Sequence, residues 1–239
     1  MRNPFRRRRA TTDAPLLRSR SGSRIVAGPN VDVTLKPELG DFLGRFAYLE
    51  LAAFQAMADT VDDAPGIVEK QAVAAAAGQA LNAHLRLAGE IETSGGEASA
   101  LMSACAPDVD RFRETIAGGT WYEAVLSCYL ADGIITDVAA TLAAALPRGY
   151  RERVTDTLAD SDWSAILVET LRSGLAADPE QAPRLALWGR RIVGEVLLQA
   201  RALLRPATSP GDFEVTVEPI LTELIAAHTR RMYGLGLTA

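Results

Sequence analysis

Residues 121–142, WYEAVLSCYLADGIITDVAATL, set Trp121, Val125, Cys128, Asp132, Ile135, Ala139 and Leu142 at intervals of three or four. With about 3.6 residues to a turn, that spacing lines them along one side of an α-helix. The side is apolar except for one acid, Asp132. No strand alternation of useful length occurs here or elsewhere in the chain, so the expected fold class is all-α.

The same period recurs on both sides of this segment. Leu43, Phe46, Glu50, Phe54 and Met57 mark a helix near 38–62, and Val73, Ala77, Leu81, His84, Ala88 and Ile91 mark one near 66–93. Downstream, Val154, Asp160, Trp163, Leu167 and Leu171 share a face of a helix near 148–176. Further helices are expected near 120–145, 181–205 and 212–233, and a short one at 107–117 starting from Pro107-Asp108. The breaks hold turn formers: Asp62-Asp63-Ala64-Pro65, Ser94-Gly95-Gly96, Gly118-Gly119, Pro147, Asp178-Pro179 and Ser209-Pro210-Gly211. Short loops between long helices make sequential helices antiparallel, which points to a four-helix bundle with two additional C-terminal helices packed on it. Residues 1–37 lack helical periodicity and contain Gly28-Pro29-Asn30 and Pro37. They read as a basic, disordered tail and lead-in segment, with the helical domain over 38–239.

Composition agrees with one domain: 239 residues, 48% hydrophobic and 23% charged, can bury a sizeable core. The net charge of −5 hides an asymmetry, because residues 1–24 carry eight arginines against Asp13 alone. The rest of the chain is therefore strongly acidic and repels nucleic acid, so contact with RNA or an anionic surface belongs to the arginine-rich arm. Self-association is compatible with the sequence. Two cysteines, Cys105 and Cys128, are too few for a disulfide framework or a thiolate metal site. No run of apolar residues is long enough for a membrane span, and no apolar stretch follows the N-terminal arginines as in a signal peptide. The expected location is the cytoplasm. Phosphate-binding loops, nucleophile motifs and zinc spacings are all missing.

One acid or imidazole thus falls on the apolar side of each of four helices: Glu50, His84, Asp132 and Asp160. Burying an unpaired carboxylate costs several kcal/mol, so each group needs a cation, a proton or a wet cavity. A hard metal ion held jointly by carboxylates and one imidazole would satisfy all four. The competing reading leaves each acid at the edge of its stripe, satisfied by water or an arginine. His228, on the stripe Val217, Leu221, Leu224, His228 and Leu235, reads as a core histidine satisfied by a hydrogen bond. Glu195 is expected to pair with His228 or an arginine, and Cys128 to pack as a small hydrophobe.

Five segments carry a family likeness: Ala47-Tyr48-Leu49-Glu50-Leu51, Ala131-Asp132-Gly133-Ile134, Leu158-Ala159-Asp160, the run from Leu185 to Glu195, and Ala227-His228-Thr229-Arg230-Arg231-Met232. Over about 39–238 the chain resembles the ferritin-like carboxylate di-iron superfamily, in the actinobacterial branch similar to the tRNA isopentenyl-adenosine hydroxylase (MiaE). The resemblance implies single carboxylates on the first and third helices, matched by Glu50 and Asp132, and an acid-x-x-His pair on each of the other two. His84 matches one imidazole, but Leu81 stands where its acid belongs. Asp160 matches the other acid, but Trp163 stands where its histidine belongs. An indole nitrogen has no lone pair for a metal, so two of six ligands are lost.

What survives implies at most one iron, held by Glu50, His84 and Asp160, with Asp132 beside it, for oxygen-dependent hydroxylation. The alternative implied by the losses is a non-catalytic scaffold in which Trp163 and Leu81 pack the former site.

Overall fold

The structure, a computed structural model, describes Leu35 and residues 37–160, 163–205 and 213–239, without the side chains of 158–160. The arginine-rich arm and the carboxylate of Asp160 lie outside the described residues. Eight α-helices are described: α1 (Leu39–Thr60), α2 (Ile67–Thr93), α3 (Ala98–Thr115), α4 (Trp121–Ala143), α5 (Arg148–Asp160), α6 (Trp163–Ala177), α7 (Ala182–Leu204) and α8 (Phe213–Gly234). A 3₁₀ turn, Pro179–Gln181, precedes α7, and the Asp178 carboxylate accepts from the Glu180 backbone N–H at its start. There is no strand among the described residues.

Helices α1, α2, α6 and α4 close a ring of neighbours, each touching the next and α4 touching α1. This is the four-helix bundle. The expected fourth span, 148–176, corresponds to α5 and α6 on either side of residues 161 and 162. Helix α3 lies on α1, α5 lies against α2 and α4, and α7 and α8 pack on α4 and on each other. The α2–α3 turn shows how local sequence sets a boundary. Gly95 takes φ +83°, its N–H reaches Glu92 O at 3.0 Å, and Gly96 N–H reaches Ile91 O at 3.0 Å. That is a Schellman stop, and only a residue without a Cβ enters it freely.

Two expectations need correction. The third helix starts at Ala98, well before Pro107, and carries that proline inside it. A missing proline N–H costs little here, because Ser103, whose carbonyl it would have met, is exposed to water. The stripe first read on 121–142 is not the centre of the buried face of α4. Leu126, Leu130, Ile134 and Val138 are fully buried; of the stripe, Val125, Ala139 and Leu142 are buried too, while Trp121, Cys128, Asp132 and Ile135 are half-buried. A helix covered by neighbours on several sides is apolar nearly all round, so periodicity marks no single inner face. Of the described helices, α4 alone has the length and apolarity of a membrane span, and 72% of that window is buried inside the bundle.

The C-terminal helices are fastened to α4 by polar groups. Arg231 of α8 donates through Nη2 to Asp137 at 2.7 Å and to the Gly133 carbonyl at 2.8 Å. Both side chains are buried, 11% and 6% exposed. Arg184 of α7 donates to buried Glu123 at 2.7 Å, and the Trp188 indole N–H donates to Ser127 Oγ at 2.8 Å. A Cβ on residue 133 would stand 2.1 Å from Arg231 Nε, so glycine makes room for the guanidinium.

Gly133→Ala should therefore lower stability by about 3 kcal/mol, the scale of breaking a buried ion pair. Gly194→Ala, on the open face of α7 with nothing within 4 Å of the new Cβ, should instead raise it by about 0.5–1 kcal/mol through helix propensity. Urea unfolding of both variants reads the contrast.

Candidate functional site

Glu50 and Asp132 come together. They line one cavity of about 60 Å³, between α1, α3, α4 and α6, with Cys128 and Trp163 as further polar neighbours. Arg113 adds a guanidinium at one side, and the rest of the lining is apolar, including Leu49, Val109, Phe112 and Ile135. Asp132 reaches this cavity from the half-buried edge of α4, where Thr136 Oγ1 lies 3.4 Å from its Oδ1. Glu50 comes from the centre of the α1 face and is 7% exposed.

The Glu50 carboxyl is pushed up to about 8, first by burial and then by the charge of Asp132. The Trp163 indole and the Arg86 guanidinium pull it the other way without overcoming burial. Trp163 is 2% exposed. Its N–H points toward Glu50 but closes no hydrogen bond of good geometry, so Trp163 Nε1 and Glu50 Oε2 are both buried without a partner. At neutral pH Glu50 is mainly a neutral acid. Cys128 is likewise pushed up to about 12 by burial and by Asp132.

His84 is not part of this lining. It is buried at 9% exposure, and its Nδ1 sits 2.8 Å from the carbonyl of Ala47. The carbonyl can only accept, so Nδ1 carries a proton, and the tautomer this selects has its lone pair on Nε2. Leu81, one turn away, is half-buried and offers no donor. Among the described residues no three His, Cys, Asp or Glu side chains converge into a group that could hold a metal ion. The described lining, two carboxylates with a thiol, a guanidinium and an indole but no imidazole, does not fit an iron centre.

A second hollow of about 320 Å³ adjoins the first. It is lined by the C-terminal end of α1, the Gly118-Gly119 loop and the start of α4. The two hollows share Ala56, Arg113, Ile116 and Cys128 as walls. Arg113 is held at the outer side by Asp59 at 3.2 Å.

Two residues depart from the sequence reading. His228 is buried at 3% exposure, but its Nδ1 has no hydrogen-bond partner, and burial together with the Arg231 charge pushes its pKa down to about 4. Glu195 points to solvent and forms no ion pair among the described residues. The buried acids that pair with arginine are Glu123 and Asp137, which no apolar stripe had singled out. Their signal was the arginine supply on the last two helices.

Glu50 and His228 give opposite pH slopes. A carboxyl raised from 4.5 to about 8 holds its proton more tightly when folded. Folded stability therefore falls as pH rises through that window, and Glu50→Gln should gain stability over the native chain from pH 5 to 9. A histidine lowered from 6.5 to about 4 loses stability as pH falls through that window. The loss is on the order of 3 kcal/mol, and His228→Gln should abolish that part of the slope. Denaturant midpoints from pH 4 to pH 9 check both.

Comparison with known proteins agrees with this architecture. No curated protein matches the sequence. Residues 35–208, more than half of the chain, match the family described as "Ferritin-like domain, actinomycetes". That span takes in the whole four-helix ring and α7. The chain belongs to this actinomycete ferritin-like domain family.

Proposed function

We propose that this chain is a non-catalytic, cytoplasmic binding protein built on the ferritin-like bundle, in which a tryptophan and a protonated acid occupy the place of a metal centre. The observation that carries the reading is Trp163, buried beside Glu50 and Asp132 with its indole N–H turned toward Glu50. An acid that keeps its proton and an indole without a lone pair are both poor ligands, so dioxygen chemistry has no foothold among them.

A second reading has its own support. A histidine whose Nδ1–H is held by a backbone carbonyl presents Nε2 in the way metal-binding histidines do, and His84 is held so by Ala47. On that reading Glu50, His84 and Asp160 hold a single iron, and the chain hydroxylates a substrate in the manner of its tRNA-hydroxylase-like relatives.

Elemental analysis of tag-free chain, purified without chelator, separates the two. The scaffold reading expects less than a tenth of an iron or manganese ion per chain, on the order expected of a site lacking a ligand set. Stoichiometric metal lost in His84→Ala would establish the second reading instead. The double variant Trp163→His with Leu81→Glu should gain cobalt binding, read by its visible absorption, with no gain for either single substitution.

A further inference from the structure

Three residues of the small cavity's lining carry a buried polar atom without a hydrogen-bond partner: Glu50, Trp163 and Arg113, whose guanidinium is already paired outward with Asp59. Glu50 Oε2, on an acid that keeps its proton, can meet either a donor or an acceptor, and Trp163 Nε1–H needs an acceptor. Each of these two atoms belongs to a side chain more than nine-tenths buried. Leaving such a pair unsatisfied costs roughly 1–3 kcal/mol per group, which a ligand offering both functions would recover. A hydroxyl supplies one O–H donor and two lone pairs. It can donate to Glu50 and accept from Trp163 at once.

The other candidate head groups fit less well. An ammonium has donors only and would set an N–H against the indole N–H, whatever it gained from Asp132. A carboxylate would meet the charge of Asp132, and the Arg113 guanidinium that could offset it is already paired with Asp59. Around the polar end the wall is apolar, with Leu49, Val109, Phe112 and Ile135. Beyond Ala56, Ile116 and Cys128 the larger hollow continues toward the α3–α4 loop, apolar along Ala117, Trp121 and Ala124 and charged only at Asp59, Asp63 and Arg113, with a volume in the range of small-molecule sites. A water molecule could satisfy the two atoms but would leave this apolar wall uncovered.

We propose that the cavity and its adjoining hollow form a binding site for a short aliphatic alcohol, with the hydroxyl between Glu50 and Trp163 and the alkyl chain running past Ala56 and Ile116. This deepens the scaffold reading and rests on it, because the same atoms cannot also serve a metal.

The test uses the full chain and molecules of equal size: butanol, pentane and butylamine, followed by longer straight-chain alcohols. Binding is read by titrating tryptophan fluorescence and by the rise in thermal midpoint. Butanol should bind saturably and about tenfold more tightly than pentane or butylamine, the value of one well-made hydrogen bond. Each added methylene should tighten binding about fourfold until the outer hollow is filled. Trp163→Phe, which keeps the packing, should erase the preference for butanol over pentane while the longer alcohols still bind. Ala56→Trp, which closes the shared wall without touching the polar end, should abolish binding of the longer alcohols.

No saturable binding by any alcohol, tighter binding of butylamine, or an unchanged preference in Trp163→Phe would each overturn the proposal. Stoichiometric metal in the purified chain would remove the reading beneath it. A metal-free chain that ignores alcohols would remove this inference alone.

Discussion

A carboxylate carried into the bundle by a helix covered on several sides must be neutralised by a neighbour or keep its proton. That constraint organises the molecule around α4. At two places the neighbour supplies an arginine: Arg184 of α7 meets Glu123, and Arg231 of α8 meets Asp137. Burial and pairing compete at each. Burial works to raise Glu123, yet Arg184 wins and holds it below the usual carboxylate range, whereas at Asp137 burial outweighs Arg231 and the carboxyl stays raised. The two C-terminal helices are thus part of the electrostatic solution for the central one. Arg231 can reach Asp137 only because residue 133 has no side chain, so two segments far apart in sequence are matched through a single guanidinium.

Glu50 takes the other route. Arg86 is felt there only as a weaker opposing charge, and the acid is left to keep its proton in the company of Asp132. A bundle of this kind builds its metal centre from carboxylates on facing helices, whose mutual repulsion the cation cancels. Here Glu50 has Asp132 and Trp163 as cavity neighbours, and repulsion is relieved by protonation. The result is a pocket with a protonated acid, a carboxylate, an indole donor and, apart from Arg113 and Cys128, an apolar wall.

How much of this was legible beforehand depended on how one-sided each helix is. Helix α1 buries one face, and its stripe Leu43, Phe46, Glu50 and Met57 is buried as the spacing required, with Phe54 at its edge. In α2 the buried row runs through Val73, Ala77, Ala80, His84, Leu87 and Ile91, so Leu81 and Ala88 fall to its margin. Alanines are too small to mark a face clearly. Helix α4 has no single face to find: Val125, Ala139 and Leu142 of its stripe are buried in the core, while Cys128, Asp132 and Ile135 form a cavity-lining edge. Glu123 and Asp137 escaped notice because pairing across helices leaves no trace in the spacing along one helix. The boundary of α3 was misplaced because Pro107 reads as a start signal, whereas its unpaired carbonyl partner is simply hydrated. The likeness to a six-ligand family located Glu50 and Asp132 in one cavity, but spacing alone could not reveal that His84 turns to the backbone of α1.

The two thiols have a bearing on how the folded chain meets its chemical surroundings. Cys105 and Cys128 are both unpaired, and burial raises each of them. Since only the thiolate attacks electrophiles or begins the oxidation ladder, the native protein presents almost no reactive sulfur at neutral pH. Reactivity returns when the helices around the thiols part and their pKa values relax. Alkylation of Cys128 therefore counts openings of the bundle at α4, and a molecule once labelled there can no longer repack the sulfur against Asp132 and the cavity wall. Oxidative damage to this chain would follow its breathing rate, not the concentration of oxidant at its surface.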